Sequence, residues 1–255
     1  MDPLANPMKR RLRESTPLTG LWLQLISGHA AEAVSYSGFD WLLIDGEHAP
    51  NDLTSIYAQL QALGRTEAAV IVRPQWNDTV LFKRLLDMGV QSFLVPFVQN
   101  AEEALRAVRA TRYPPQGVRG LAYSHRGNRF GHVPDYMKRA NDEICVIVQI
   151  ESREALGNIE SIAQVPGIDA LFIGPSDLSA DMGHIGNPAH PEVQDAIADA
   201  LARCQRLGMP LGIFATGADD ARRRFAAGFR FASVGSDVNL MIKAAEQALA
   251  AVRAP

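Results

Sequence analysis

Trp41-Leu42-Leu43-Ile44-Asp45-Gly46-Glu47-His48 runs four apolar residues straight into a polar cluster. Four consecutive apolar residues are too few for a helix and suit a strand whose two faces are both covered, as in a parallel sheet. The change to Asp, Gly, Glu and His then marks the end of that strand. The same design recurs at Gly20 to Ile26, Ala69 to Val72, Ser92 to Pro96, Cys145 to Ile150, Ala170 to Ile173, Pro210 to Phe214 and Phe231 to Val234. With Trp41 to Ile44 this makes eight apolar runs.

Helical patterns fill the intervals. Val193, Ile197, Leu201 and Cys204 form one apolar stripe, and Pro191 suits the first turn of that helix. Asn77 or Asp78 can cap the helix through Leu86, and Gly89 can end it in the left-handed conformation. Gly38-Phe39, Gly89-Val90, Gly167-Ile168 and Gly228-Phe229 each close a helical pattern just ahead of a strand. Eight such units in 255 residues predict a single (β/α)₈ barrel domain spanning 1–255, with 1–17 as an N-terminal capping segment. A doubly wound open sheet is the competing arrangement. No Gly-x-Gly-x-x-Gly fingerprint follows the first strand, which argues against that sheet and against a nucleotide cofactor. Tyr113 to Asp135, rich in Pro, Gly, Arg and His, breaks the rhythm. A loop that long reads either as an active-site flap or as a surface excursion.

Composition narrows the function classes. The chain is 47% hydrophobic and 21% charged, an ordinary globular balance. A net charge of −3 without a basic stripe argues against nucleic acid as a partner. The basic start, Met1 to Leu12, is not followed by the apolar core of a secretory signal, and no apolar run reaches membrane-spanning length. Cys145 and Cys204 lack partners at metal-ligand spacing and read as reduced core residues of a cytoplasmic protein.

In a barrel of this kind chemistry gathers where the strands end. The second run ends in Asp45-Gly46-Glu47-His48, the third in Arg73-Pro74, the fifth in Gln149-Ile150-Glu151 and the sixth in Gly174-Pro175-Ser176-Asp177. Glu151 and Asp177 offer two hard oxygen donors, which suit Mg²⁺ or Mn²⁺; the competing reading makes each a cap for the helix that follows. His48 can transfer protons near neutrality with Asp45 orienting it, or Asp45 caps and His48 is solvated. His125 and His132, in the long loop, are further groups that could touch substrate. Arg73 can meet a carboxylate or an oxyanion, or can pair internally with Asp45 or Glu47. Gly174 to Asp177 resembles a small anion cradle. Lys9, Lys83, Lys138 and Lys243 all fall in helical patterns, so no lysine is placed for Schiff-base chemistry.

Taken together the motifs resemble the HpcH/HpaI aldolase family. They are Trp41 to Asn51, Val95 to Ala101, Arg112 to Gly120, Gln149 to Ala155 and Phe172 to Ser179, in order and nearly without gaps from about Gly20 onward. The resemblance implies a (β/α)₈ barrel and a divalent-metal pyruvate aldolase, with Mg²⁺ or Mn²⁺ and possible use of Co²⁺ or other divalent ions. It further implies reversible cleavage of 4-hydroxy-2-oxo acids, such as 4-hydroxy-2-oxoheptanedioate or 2-keto-3-deoxy sugar acids, to pyruvate and an aldehyde, with hydroxypyruvate as another donor. Position by position, Glu151 and Asp177 match the metal ligands. Arg73 matches the arginine that steadies the pyruvyl oxygen, and His48 the acid–base histidine. Asp45 and Asp87 match acidic residues linked to that histidine, Asp87 acting from a neighbouring subunit. Gln149 matches a polar residue beside the metal, and Gly174, Pro175 and Ser176 the substrate-carboxylate cradle. A homohexamer with sites at subunit borders is implied too. Ser124 to Phe130 and Ile213 to Gly217 depart from the family's usual pattern, so the resemblance specifies the pyruvyl half of the substrate and leaves the aldehyde half open. A lyase acting on a CoA ester or a phosphoenolpyruvate-type substrate, and a barrel kept only as a binding module, are the alternatives.

Overall fold

The computed structural model describes residues 2 and 4–254. Eight parallel strands close into a barrel in sequence order: β1 (Leu18–Leu23), β2 (Trp41–Asp45), β3 (Ala69–Arg73), β4 (Ser92–Val95), β5 (Cys145–Ile150), β6 (Ala170–Ile173), β7 (Leu211–Phe214) and β8 (Phe231–Ser236). Before β1 lies α1 (Pro7–Arg11). The strands are then joined and followed by α2 (Gly28–Ser35), α3 (Leu53–Ala62), α4 (Thr79–Asp87), α5 (Ala101–Ala110), α6 (Tyr136–Arg139), α7 (Arg153–Gly157), α8 (Ile159–Ala163), α9 (Pro175–Asp181), α10 (Pro191–Leu207), α11 (Ala218–Ala227) and α12 (Asp237–Arg253). The (β/α)₈ expectation holds and the open sheet is excluded by the β1–β8 pairing. Every expected apolar run coincides with a strand; β1 begins two residues earlier, at Leu18, while β2 and β3 each extend one residue further, to Asp45 and Arg73, and β8 two, to Ser236.

The signals at the helix ends act as read. Asp78, rather than Asn77, caps α4 by accepting from the Leu81 amide. Gly38, Gly89, Gly167 and Gly228 all have φ between 82° and 109°, the left-handed region in which a side chain is strained. Lys9, Lys83, Lys138 and Lys243 all stand on helices.

Two apolar shells sandwich the strand backbone, which is why the strands read as nearly continuous apolar runs. The outer shell packs strand residues such as Leu42, Ile44, Val146 and Val148 against the helices. The inner shell fills the barrel with Trp22, Trp41, Leu43, Ile71, Ile147, Phe172 and Phe231. Trp41 lies on Gly20, where an added Cβ would fall 2.0 Å from the indole, and its N–H donates to the Leu18 carbonyl. Met8 and Leu12 join the same inner shell from below. Arg11 donates to the Asp40 and Glu67 carbonyls and Lys9 to that of Ile144, all just ahead of strands. α1 therefore closes the N-terminal end of the barrel and leaves the other end as the mouth. The bounds expected for the capping segment include Met1 and Pro3, which lie outside the described residues. No helix among the described residues is long and apolar enough to cross a membrane.

Met8 is fully buried in this plug. Met8→Ala is expected to cost about 2–5 kcal/mol through lost burial and the cavity left behind. Urea unfolding should show a lower midpoint at an unchanged slope.

Candidate active site

Parallel register sets the site. Asp45 and Arg73 are Cα partners at the ends of β2 and β3, so two polar residues leave neighbouring strands side by side. Arg73 donates through Nε to Asp45 Oδ1 and through a terminal nitrogen to Oδ2, both at 2.9 Å. Its other terminal nitrogen lies 2.7 Å from Glu47 Oε2 and donates to Gln149 Oε1 at 3.3 Å. The guanidinium carbon sits 4.2 Å from the centre of the Trp22 ring, an arrangement that favours a cation over a π face. Of the two sequence readings for Arg73 the internal ion pair is thus realised, and the side chain still lines the mouth cavity.

Asp45 is completely buried. Burial pushes its carboxyl up, but the bonds and charge of Arg73, the Gln24 amide at 2.9 Å and the Glu47 amide outweigh this and hold it below the usual range. Oδ1 also accepts from the Glu47 and His48 backbone N–H groups at 3.1 and 3.3 Å. One carboxylate therefore fixes both the arginine and the turn that carries His48. The His48 ring is half-exposed at the rim, with Nε2 3.8 Å from Glu47 Oε2.

The far side of the mouth is anionic. Glu151 is 2% exposed. Its Oε1 accepts from the Phe97 amide at 2.8 Å and its Oε2 from the Gln149 side-chain amide at 2.7 Å. Phe97 adopts the left-handed conformation at φ 51°, unusual for a side chain of that size, and stacks on Trp76 at 5.8 Å. Burial raises the Glu151 pKa to about 7; the Phe97 amide opposes the rise, and the charges of Glu47 and Asp177 add to it. Glu47 is raised as well, by burial and then by Asp45 and Asp177, against the pull of Arg73 and His48. Gly174 caps α9, and a Cβ there would fall 2.5 Å from Glu151 Oε2. Pro175, Ser176 and Asp177 form the first turn of α9, with no side-chain cap on its amides.

Trp22, Gln24, His48, Arg73, Gln149, Phe172, Gly174 to Asp177 and Phe214 line a cavity of about 230 Å³ at this mouth. Residues from β1, β3, β5, β6 and β7 thus converge as the barrel argument required. Trp22 and Gln24 were not singled out in the sequence; Phe172 and Phe214 stood within quoted stretches, Phe172 to Ser179 and Ile213 to Gly217, without a role of their own. Gln24 had a visible signal, a lone polar residue inside the apolar run Gly20 to Ile26. The aromatics had none, because an aromatic residue inside a barrel strand looks like core.

Oxygen donors suit a hard divalent ion in this mouth. Glu47, Glu151 and Asp177 repel one another, and of the three only Glu47 has the Arg73 guanidinium against it, at 2.7 Å. A cation would relieve the repulsion.

Asp87 stands elsewhere. It ends α4 at the opposite end of the barrel, paired with Arg119 at 3.0 Å and 3.9 Å from His125. The loop 113–135 goes there too: Arg126 donates to the Leu60 and Met88 carbonyls, and His125 is buried edge-on to Tyr136 at 5.3 Å. The flap reading is corrected, because the loop does not cover the mouth of its own barrel; its arginine and aromatic side chains find partners under α3 and α4. Neither His125 nor His132 lines the mouth cavity.

With this geometry in place, comparison with known proteins is specific. The sequence model of the HpcH/HpaI aldolase/citrate lyase family matches residues 18–244. A protein of Klebsiella pneumoniae subsp. pneumoniae named 4-hydroxy-2-oxo-heptane-1,7-dioate aldolase is 53% identical over 247 residues, covering 96% of this chain and 93% of its own. The crystal structure of an HpcH/HpaI aldolase/citrate lyase family protein from Burkholderia cenocepacia superposes with a TM-score of 0.95 at 42% identity, over 98% of this chain and 100% of that one. That of an HpcH/HpaI aldolase from Desulfitobacterium hafniense gives 0.86 at 30% identity, over 98% of each.

The raised Glu151 has a thermodynamic consequence. The metal-free folded chain keeps a proton on Glu151 up to about pH 7, whereas the unfolded chain releases it near pH 4.3. Stability from this group is therefore full below about pH 4.3 and is lost as pH rises toward 7, by roughly 3 kcal/mol. Urea midpoints of metal-stripped protein should fall over that window, and fall less for Glu151→Gln.

Proposed function

The chain belongs to the HpcH/HpaI aldolase/citrate lyase family, and from that premise we propose that it is a divalent-metal-dependent aldolase that reversibly cleaves 4-hydroxy-2-oxo acids to pyruvate and an aldehyde. The observation that carries this reading is the meeting, in one 230 Å³ cavity, of Arg73, Gln149, His48 and Asp177, with Glu151 bonded directly behind Gln149.

Glu151 and Asp177 would hold the ion, Mg²⁺ or Mn²⁺, with Co²⁺ and other divalent ions as substitutes. Bound there, it supplies Lewis-acid polarisation of the 2-oxo acid. In cleavage, His48 at the exposed rim takes the proton of the C4 hydroxyl, the C3–C4 bond breaks, and the aldehyde leaves toward solvent. Arg73 faces the negative charge that develops on the pyruvyl oxygen. Asp45 already holds one edge of the guanidinium by two bonds, so little reorganisation accompanies the reaction. Gln149 bridges Arg73 and Glu151 and keeps both aimed into the cavity. Gly174, Pro175 and Ser176 bring the uncapped first turn of α9 close enough to receive the substrate carboxylate. Condensation runs the same proton transfers in reverse, with pyruvate or hydroxypyruvate as donor.

The same reading includes a homohexamer. Asp87 lies far from its own mouth, where only a neighbouring subunit's Asp87 could meet His48. α12 leaves Leu240, Met241, Ile242, Leu249 and Val252 exposed, apolar surface that an assembly would cover. A cytoplasmic setting agrees with Cys145 and Cys204, both buried free thiols.

Chelation followed by dialysis is expected to abolish pyruvate release from 4-hydroxy-2-oxoheptanedioate, and Mg²⁺ or Mn²⁺ to restore it. Undiminished release would overturn the metal assignment. Arg73→Ala is expected to slow exchange of the pyruvate methyl protons by a factor of about 10² or more. Proton NMR in deuterated buffer reads this without any aldehyde, and exchange at the parent rate would remove Arg73 from enolate stabilisation.

A further inference from the structure

The loop from α9 to α10 carries a second cluster of metal-ligating groups, outside the mouth. His184 lies in the loop, His190 is the N-cap of α10, and Glu192 is that helix's second residue. Ligand atoms of the three lie within 4.8 Å of one another, and among the described residues no other three-donor cluster of histidine, cysteine and carboxylate groups is as close.

The backbone builds this proximity. The His184 amide donates to the Ser179 carbonyl at 2.7 Å, Asn187 donates to His184 at 2.9 Å, and His190 donates to Asn187 at 3.1 Å. Each bond is local, so the loop doubles back and sets the two imidazoles face to face, centroids 3.5 Å apart and planes 14° apart. His184 Nε2 lies 2.8 Å from Glu192 Oε2. In the ion-free chain that contact is a hydrogen bond; ligand atoms at tetrahedral angles around an ion with bonds of about 2.0–2.1 Å stand about 3.3 Å apart, so the pair needs to part by only about 0.5 Å to admit one. In the ion-free chain His190 Nδ1 accepts from the Glu192 amide at 3.3 Å, so the neutral ring carries its proton on Nε2, and a bound ion would take the place of that proton or of that amide. For their lone pairs to converge the rings would splay and give up the ring protons at the ligating nitrogens to solvent, which both side chains reach.

We propose that His184, His190 and Glu192 form a second divalent-metal site, specific for borderline ions such as Zn²⁺, Ni²⁺ or Cu²⁺ and separate from the mouth. Two imidazoles and one carboxylate favour that class, whereas the all-carboxylate mouth favours harder Mg²⁺ or Mn²⁺. Three protein ligands leave the remaining positions to water. The bound ion would pin the loop to the first turn of α10 and so brace the segment that follows α9.

The test uses the full-length, metal-stripped chain in excess Mg²⁺, titrated calorimetrically with ZnCl₂. The parent is expected to bind one more equivalent of zinc than the double variant His184→Gln/His190→Gln. Glu192→Gln is expected to retain that equivalent at an affinity at least tenfold lower. Far-UV circular dichroism and urea midpoints verify that the variants are folded. If the double variant does not fold, the parent alone decides. Substoichiometric Cu²⁺ should then broaden the ring resonances of His184 and His190 in ¹H–¹⁵N spectra ahead of the other histidines. Equal zinc stoichiometry and affinity in the folded double variant, or uniform broadening in the parent, would overturn the proposal.

Discussion

Arg73 brings a full positive charge into the barrel mouth with almost none of its side chain in water. Removing an ion from water costs several kcal/mol unless partners replace the lost hydration. Asp45 supplies a two-point bond, Glu47 a second carboxylate, Gln149 a carbonyl oxygen and Trp22 a π face. Those partners come from β1, β2, the β2–α3 turn and β5, so the arginine can be satisfied only when the strands are in register. The ion pair is less a source of stability than a condition on the geometry of the mouth, since a buried charge pair and a well-packed apolar pair are often equal in energy.

The other half of the mouth has the opposite problem. Glu47, Glu151 and Asp177 crowd negative charge around a small cavity, and burial plus mutual repulsion raise Glu47 and Glu151. The protein spends backbone conformation to keep Glu151 aimed: Phe97 is held left-handed so that its N–H reaches the carboxylate, a posture costing about 1–3 kcal/mol. Gly174 keeps the α9 side open, because any Cβ would strike that same carboxylate. Arg73 with its carboxylate partners and the further carboxylates Glu151 and Asp177 thus meet around one cavity, an arrangement suited to a 2-oxo acid and a cation held together.

The opposite end of the barrel is also built with care. α1 plugs it with Met8 and Leu12, while the 113–135 loop wraps beneath α3 and α4 and surrounds Asp87 with Arg119 and His125. Both ring nitrogens of His125 are buried without hydrogen-bond partners. Burial pushes this histidine's pKa down, against the pull of Asp87.

Much of this was legible in the chain itself. Period and length of the apolar runs determined the eight strands, because strands covered on both faces must be apolar at nearly every position. Residues ending those strands, Asp45, Arg73, Gln149, Glu151 and Asp177, could be named because barrel topology sends every strand's C-terminal end to one face. What the sequence could not decide is who faces whom. Arg73 could equally have met a ligand or an internal carboxylate, and only the β2–β3 register shows that Asp45 takes it. Trp22 and Phe214 are ordinary core residues in one dimension and cavity walls in three, since alternate residues of a barrel strand point to opposite faces. The long loop read as a lid or a surface excursion because of its length; its course is set by arginine and histidine contacts to elements more than 30 residues away, which no local pattern encodes. The sequence by itself determined the barrel and the inventory of its mouth, through local periodicity and strand polarity. Tertiary structure alone decided the partnerships, because they are set by register and packing between segments far apart in the chain.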